Sequence, residues 1–228
     1  MLIEVYADLI CPWCFIGEAR LAAALAARPQ LKAEVRHRPF QLNPDMPPGG
    51  LPRRVYLRLK FGSEERFAQV QDAMERTGRS AGLAFAFARI ERTPSTLEGH
   101  RLLAFAEPFG LQQALIARLY RAYFEEGVDI GDRDVLLSLA VEVGLPAAGS
   151  GRFLDSDEGV EAVVRSDREA RHLGTTGVPF FLVNRRYALS GAQPPEVMIE
   201  MLDLVAQDAG ADASLSAPAP HAGASAGF

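Results

Sequence analysis

Only two cysteines stand in the 228-residue chain, three positions apart in Cys11-Pro12-Trp13-Cys14. Two thiols at that spacing can close a small redox-active disulfide ring where a helix begins. The first amides of a helix lack intrahelical partners, and the macrodipole adds positive potential there. Both stabilise a thiolate, and the thiolate is the nucleophile of disulfide exchange. Cys11 is therefore expected as the exposed, attacking thiol. At about 100° per residue, Leu21 and Leu25 fall within about 20° of Cys14. That stripe faces a core, so Cys14 is expected as the shielded, resolving thiol. In the reduced form Cys11 would attack a substrate disulfide, and Cys14 would then displace the reduced product and close the Cys11–Cys14 disulfide. In the oxidised form a substrate thiolate would attack Cys11 and gain the disulfide. Redox poise sets the direction.

Other uses of two cysteines fit less well. Four-coordinate zinc needs two further ligands, and the histidines (His37, His100, His172, His221) are each alone and far from the pair, so no metal is expected. A structural disulfide framework needs dispersed cysteines. Met1 to Tyr6 carries neither a positive n-region nor a long apolar h-region, so no secretory signal is read and a reducing cytoplasm is expected. There a disulfide is transient, catalytic or sensing. The net charge of −5, with arginines scattered rather than clustered, argues against nucleic acid. No apolar run reaches the length of about eighteen residues that a membrane span needs.

The elements that must position the pair can be read around it. Residues 2–7 alternate as a strand, and the Ala- and Leu-rich run from Cys14 to Ala27 favours helix, with Pro12 in its first turn. Residues 32–40 read as a second strand, completing a βαβ unit. A Pro- and Gly-rich loop (43–52) marks a boundary. From 53 to 173 the pattern turns helical: 64–77 capped by Ser63, 96–107, 111–125 with Leu111, Leu115, Leu119 and Tyr123 on one stripe, a helix capped by Asp132 and ended by Gly144 and Pro146, and 157–172. Residues 80–92, where Leu83, Phe85 and Phe87 alternate, stay ambiguous. The Arg53–Arg66 stretch reads as a solvated helix face. Phe180–Val183 and Tyr187–Ser190 are two short strands around a polar turn, and Pro194-Pro195 open a last helix to about Ala206. The tail from Asp208 has almost no large apolar residues and is expected to be disordered. The organisation is thus 1–50, an all-helical insertion at 51–173, a returning half at 174–207, and a tail at 208–228. A C-x-x-C opening a helix in a βαβ unit reads as a thioredoxin-like redox motif. The fold class expected is α/β, a four-stranded mixed sheet with flanking helices, interrupted by the helical insertion.

These motifs carry a resemblance. Asp8-Leu9-Ile10-Cys11-Pro12-Trp13-Cys14-Phe15-Ile16-Gly17 looks like the active-site segment of the DsbA-like proteins known as the FrnE family. Arg38-Pro39-Phe40-Gln41-Leu42-Asn43-Pro44-Asp45-Met46-Pro47 resembles that family's loop after the second strand. Ser95-Thr96-Leu97-Glu98-Gly99-His100-Arg101-Leu102 resembles its Asn-Thr-x-x-Ala-His-Arg helix start, with Ser95 for Asn. Gly177-Val178-Pro179-Phe180-Phe181 and Ser190-Gly191-Ala192-Gln193 match its cis-proline strand and the following turn. The matches run from residue 3 to about 205.

The resemblance implies a thioredoxin fold with an inserted helical domain and disulfide oxidoreductase or isomerase activity. Its relatives include glutathione-dependent 2-hydroxychromene-2-carboxylate isomerases and kappa-class glutathione transferases, which typically carry Ser at the first cysteine position. It places a cis bond at Val178-Pro179 opposite the cysteines. Without the upstream C-x-x-C, that dipeptide would read as an ordinary strand-initiating proline. Val178 and Pro179, with Pro12 and Trp13, are then expected to meet substrate, and His100 and Asp8 to line the cleft. Many thioredoxin-fold enzymes hold a buried acid six residues before the first cysteine; here Val5 stands there, which leaves the acceptor of the Cys14 proton open, with water and Asp8 as candidates. Glu18, about 40° from the Cys14 stripe, reads as solvated.

The substrates expected are protein or low-molecular-weight disulfides and thiols, with no bound cofactor beyond the Cys11–Cys14 disulfide, glutathione as a candidate co-substrate, and an unknown reductant. A monomer and a homodimer are both compatible. Two other readings stay open. A glutathione-dependent isomerase or transferase of small aromatic molecules would tolerate Cys11→Ser, and a holdase-like chaperone would work with both cysteines replaced.

Overall fold

The computed structural model describes residues 1–215. Strand β1 (Leu2–Ala7) pairs in parallel with β2 (Glu34–Pro39), Val5 opposite His37. Helix α1 (Pro12–Ala26) makes the crossover between them. A parallel pair requires such a connection, since a tight turn can join only antiparallel strands. Two residues, β3 (Leu51–Pro52), then pair with β4 (Arg92–Thr93) in a separate ribbon. Strands β5 (Phe180–Val183) and β6 (Tyr187–Ser190) return to the main sheet, whose order is β2-β1-β5-β6. β5 runs antiparallel to β1 with Val5 opposite Phe181. The β5–β6 turn holds Asn184 and Arg185 at positive φ, the backbone hand that suits a tight hairpin. The Asn184 side chain also accepts the Leu2 amide at 2.9 Å, tying the turn to the start of β1.

Between the halves lie α2 (Arg53–Phe61), α3 (Glu64–Ser80), α4 (Leu97–Ala106), α5 (Gln112–Arg121), α6 (Arg133–Glu142), α7 (Ala147–Leu154) and α8 (Val160–His172); α9 (Pro195–Leu215) is the last element among the described residues. The caps are local chemistry. Ser63 Oγ accepts the Arg66 amide at 3.2 Å, and Asp132 Oδ1 accepts the amides of Asp134 and Val135 at 2.9 and 3.0 Å. Each satisfies donors that a helix start otherwise leaves unpaired.

Alternation in β1 separates two faces. Ile3, Val5 and Ala7 join one large buried cluster with Cys14 and Leu21 of α1, Met198 and Leu202 of α9, and the insertion's Leu115, Leu119 and Phe124. Tyr6, on the other face, packs with Phe40, Phe180 and Ala170 of α8. The last helix before β5 therefore covers the sheet, and Ser166 Oγ donates to the Pro39 carbonyl at 3.0 Å.

Several sequence expectations are corrected here. The inserted segment is helical but also contains the β3–β4 ribbon, and Phe87–Arg89 is a single 3-10 turn rather than strand. The glycines at 149 and 151 mask α7, which forms because Ser150, Phe153 and Leu154 are buried. Arg53 is not solvated. It is buried, with Nη1 3.1 Å from Thr93 Oγ1 and 3.4 Å from the Tyr123 hydroxyl, and its guanidinium lies over the Phe67 ring. Helix α9 runs on through Asp208, the expected start of the tail, to Leu215. Residues 216–228, the rest of that expected tail, lie outside the described residues.

Candidate active site

The site is built where α1 begins. Cys11 is the N-cap of α1, in extended conformation (φ −93°, ψ 111°), and Pro12 occupies the first turn. Proline fits there because its missing N–H would have had no helical partner. Cys14 follows inside the helix, its amide bonded to the Cys11 carbonyl at 3.0 Å. Both thiols are free and buried. The Val178–Pro179 bond is cis. That loop lies against Cys11, whose Sγ donates to the Val178 carbonyl at 3.6 Å.

The loop's close approach depends on Gly17, one turn into α1. A Cβ there would come within 2.8 Å of Pro179 Cγ and 3.2 Å of Phe181 Cζ. Gly17→Ala would gain about 1 kcal/mol of helix propensity and lose about 1–3 kcal/mol to overpacking. Because the obstruction is a rigid proline ring, we expect a net loss. The midpoint of thermal unfolding should fall by a few degrees, and the rate of disulfide exchange should fall as Pro179 is pushed off Cys11.

Cys11 is only 4% exposed, so the expectation of an openly exposed attacker is corrected: its thiol lies beside the cis-proline loop. Cys14 is wholly buried. Burial pushes its thiol well above the usual range, the Cys11 hydrogen bond and charge add to this, and the Asp8 carboxylate adds further while the Asp8 backbone acts in the opposite direction. Pro12 and Trp13 are half-buried, Val178 is half-buried and Pro179 buried.

Asp8 and His100 are brought together, though not as walls of an open cleft. Asp8 is fully buried beneath the helix start, with Oδ2 accepting the Leu42 amide at 2.7 Å and Oδ1 3.4 Å from His100 Nε2. His100 is equally enclosed, at 2% exposure. Glu18, expected in solvent, turns inward: Oε1 faces His37 Nδ1 at 3.3 Å without the alignment of a hydrogen bond, and Gln113 Nε2 donates to Oε2 at 3.3 Å. His37 of β2 and Gln113 of α5, which packs beside that strand, are the polar partners that draw Glu18 in.

Sequence reasoning missed Tyr120. Its hydroxyl donates to the Asp8 carbonyl at 3.4 Å, and its ring stacks on Phe15 at 5.2 Å. Burial first, then the negative charge that Cys14 and Glu18 would carry, raises its hydroxyl well above its ordinary range, so it stays a neutral donor. The only available signal was its position beside the Leu115–Leu119 stripe. Among the described residues no three His, Cys, Asp or Glu side chains are grouped to hold a metal, and no helix is long and apolar enough to cross a membrane.

A model of the DSBA-like thioredoxin domain matches residues 2–203. The chain belongs to the DSBA-like thioredoxin domain family. It thereby joins a family of thiol–disulfide oxidoreductases built on the thioredoxin fold. A probable DsbA oxidoreductase from Streptomyces coelicolor is 37% identical with a TM-score of 0.81, over 89% of this chain and 88% of that one. The cytosolic disulfide reductase DsbM from Pseudomonas aeruginosa, in its structure with GSH, is 24% identical with a TM-score of 0.67, over 91% of this chain and 100% of that one. A 2-hydroxychromene-2-carboxylate isomerase shares the fold at 12% identity and a TM-score of 0.68, over 95% of this chain and 100% of that one. The DSBA-like domain thus spans both halves of the sheet and the insertion between them.

Proposed function

We propose that this DSBA-like protein is a dithiol–disulfide oxidoreductase that reduces or isomerises disulfides of proteins or small thiols in a reducing cytoplasm. Cys11 attacks, a mixed disulfide forms on Cys11, and Cys14 resolves it. The observation that carries this reading is the Cys11 thiol on the N-cap of α1, against the Val178 carbonyl of a cis-proline loop, with Cys14 sealed behind it. Disulfide exchange needs a sulfur nucleophile, and the N-cap place of Cys11 puts its thiol at the positive end of the α1 dipole. An extended substrate segment can lie along the Val178–Pro179 backbone by strand addition. The likeness to a disulfide reductase solved with GSH supports glutathione as the co-substrate that returns the pair to its dithiol form.

The test is reduction of insulin disulfides driven by dithiothreitol. The protein at micromolar concentration should shorten the lag before insulin B-chain precipitation several-fold over dithiothreitol alone. No acceleration would remove the general reductase reading. The shared fold with 2-hydroxychromene-2-carboxylate isomerase supports a second reading, a glutathione-dependent isomerase or transferase of small aromatic molecules. Glutathione-dependent turnover of aromatic substrates that survives Cys11→Ser would establish it.

A further inference from the structure

Helix α1 makes a further contact with the returning half of the chain, three residues beyond Gly17 and on the same side of the helix. There Arg20 is half-buried, and its Nη1 donates to the Ala192 carbonyl at 2.5 Å across 172 residues. Among the described residues its guanidinium makes no ion pair, so this carbonyl is what it holds. Ala192 lies in the turn between β6 and α9. The same turn grips the Val178–Pro179 loop, because the Gly191 amide donates to the Pro179 carbonyl at 2.8 Å. Gly191 stands at φ +80°, where glycine is at ease. Gln193 closes the turn, its amide on the Gly191 carbonyl and its Nε2 on the Ser190 carbonyl, both at 2.9 Å. A closed circuit results: Cys11 to Val178, Pro179 to Gly191, Ala192 to Arg20, and along α1 back to Cys11.

We propose that Arg20 is a positioning residue for disulfide exchange. Through Ala192 and Gly191 it holds the Val178–Pro179 loop at a fixed distance from Cys11, so that a peptide lying along the loop presents its disulfide to the thiol. This rests on the dithiol reading of the site given above.

Exchange is strict about alignment. The Cys11 sulfur forms a bond to one substrate sulfur while the electrons of the old S–S bond leave on the other as a thiolate, so the three sulfurs must stand in line. Helix α1 places Cys11, but the loop that would place the substrate comes from a segment 167 residues away. The contact of Pro179 with Gly17 limits how near the loop can come. The bond from Arg20 limits how far it can move away, and hydrogen bonds from a charged donor are among the stronger ones. Arg28, just beyond the end of α1, offers a comparison. Its Nε and Nη2 donate to Asp203 at 2.8 Å each, which also ties α1 to the returning half, but to α9 and not to the loop.

Two substrates separate docking from the reactivity of the thiol. One is a peptide dimer joined by a single central disulfide, carrying a fluorophore and a quencher and turned over with dithiothreitol. The other is 4,4′-dithiodipyridine, a small neutral disulfide with no backbone to lie along the loop. Arg20→Met removes the donor and keeps an apolar stem. Its kcat/KM on the peptide should fall about tenfold, carried mainly by a higher KM, the size of one lost charged hydrogen bond. Its rate with 4,4′-dithiodipyridine should stay within about twofold of wild type. Arg20→Lys keeps a cation that can donate to Ala192 and should recover most of the peptide rate. Arg28→Met should leave both rates within about twofold, whatever it does to the unfolding midpoint. Gly191→Ala strains the turn at its positive φ and should repeat the selective loss on the peptide; it carries the test should Arg20→Met fail to fold. Unchanged peptide kcat/KM in folded Arg20→Met would overturn the proposal. Equal losses on both substrates would overturn it too, and so would the same selective loss in Arg28→Met. Release of one 4-thiopyridone per wild-type chain, where Cys11 and then Cys14 should release two, would instead remove the dithiol reading itself.

Discussion

Cys11→Ser should lose at least about 1,000-fold of disulfide-reductase turnover, and Cys14→Ser should turn the catalyst into a trap. The two outcomes differ because the thiols do different work. A serine hydroxyl at position 11 cannot supply a nucleophile to the substrate disulfide at neutral pH, since only a thiolate attacks sulfur at useful rates. With Ser at position 14, Cys11 still attacks, because its place on the α1 N-cap and against Val178 is untouched. The mixed disulfide then waits for a thiol from solution. Resolution by Cys14 is intramolecular, and well-oriented intramolecular steps have effective molarities of about 10⁵ M or more. Millimolar solution thiols cannot match that. Mass spectrometry of Cys14→Ser after exposure to insulin or oxidised glutathione should show one adduct per chain, removed by dithiothreitol. An adduct on the Cys11→Ser protein, formed through Cys14, would reverse the assigned roles. The complete burial of Cys14 argues against that result.

Phe15→Ala should carry the largest stability cost of any single site near the cysteines. Phe15 follows Cys14 and points from α1 into the insertion. Its ring stacks on Tyr120 at 5.2 Å and on Phe124 at 5.8 Å and meets the Phe85 ring edge-on at 5.8 Å. It is the side chain that fastens the catalytic helix to the inserted helices. Truncating a buried phenylalanine costs about 3–5 kcal/mol, a large part of the roughly 5–15 kcal/mol by which a domain is stable. For a chain of this size each kcal/mol moves the unfolding midpoint by about 2–4 °C, so a drop of about 10 °C is expected by calorimetry or circular dichroism. Phe15→Leu keeps most of the apolar volume and should lose about 1.5 kcal/mol or less. A loss below 1 kcal/mol in Phe15→Ala would mean that this ring does not hold the helix in place.

Much of this protein is legible one turn at a time. Alternation over residues 2–7 marks β1, Pro12 marks the start of α1, and Ser63 and Asp132 cap the helices they precede. The periodicity of α1 separates a buried Cys14 from a Cys11 at the helix end. These features rest on interactions within a few residues, so sequence alone determines them. What packing decided lies at longer range. Asp8 meets His100 across 92 residues, and Tyr120 reaches the Asp8 carbonyl across 112. Arg53 and Glu18 read as solvated charges, yet both are buried, because Thr93 and Tyr123 receive the first while His37 and Gln113 receive the second. The glycine-rich α7 exists because Phe153 and Leu154 find a core to enter. A charged side chain stays buried only when distant segments bring it partners: for Arg53 they come from elsewhere in the insertion, and for Glu18 from β2 and from an inserted helix docked beside it.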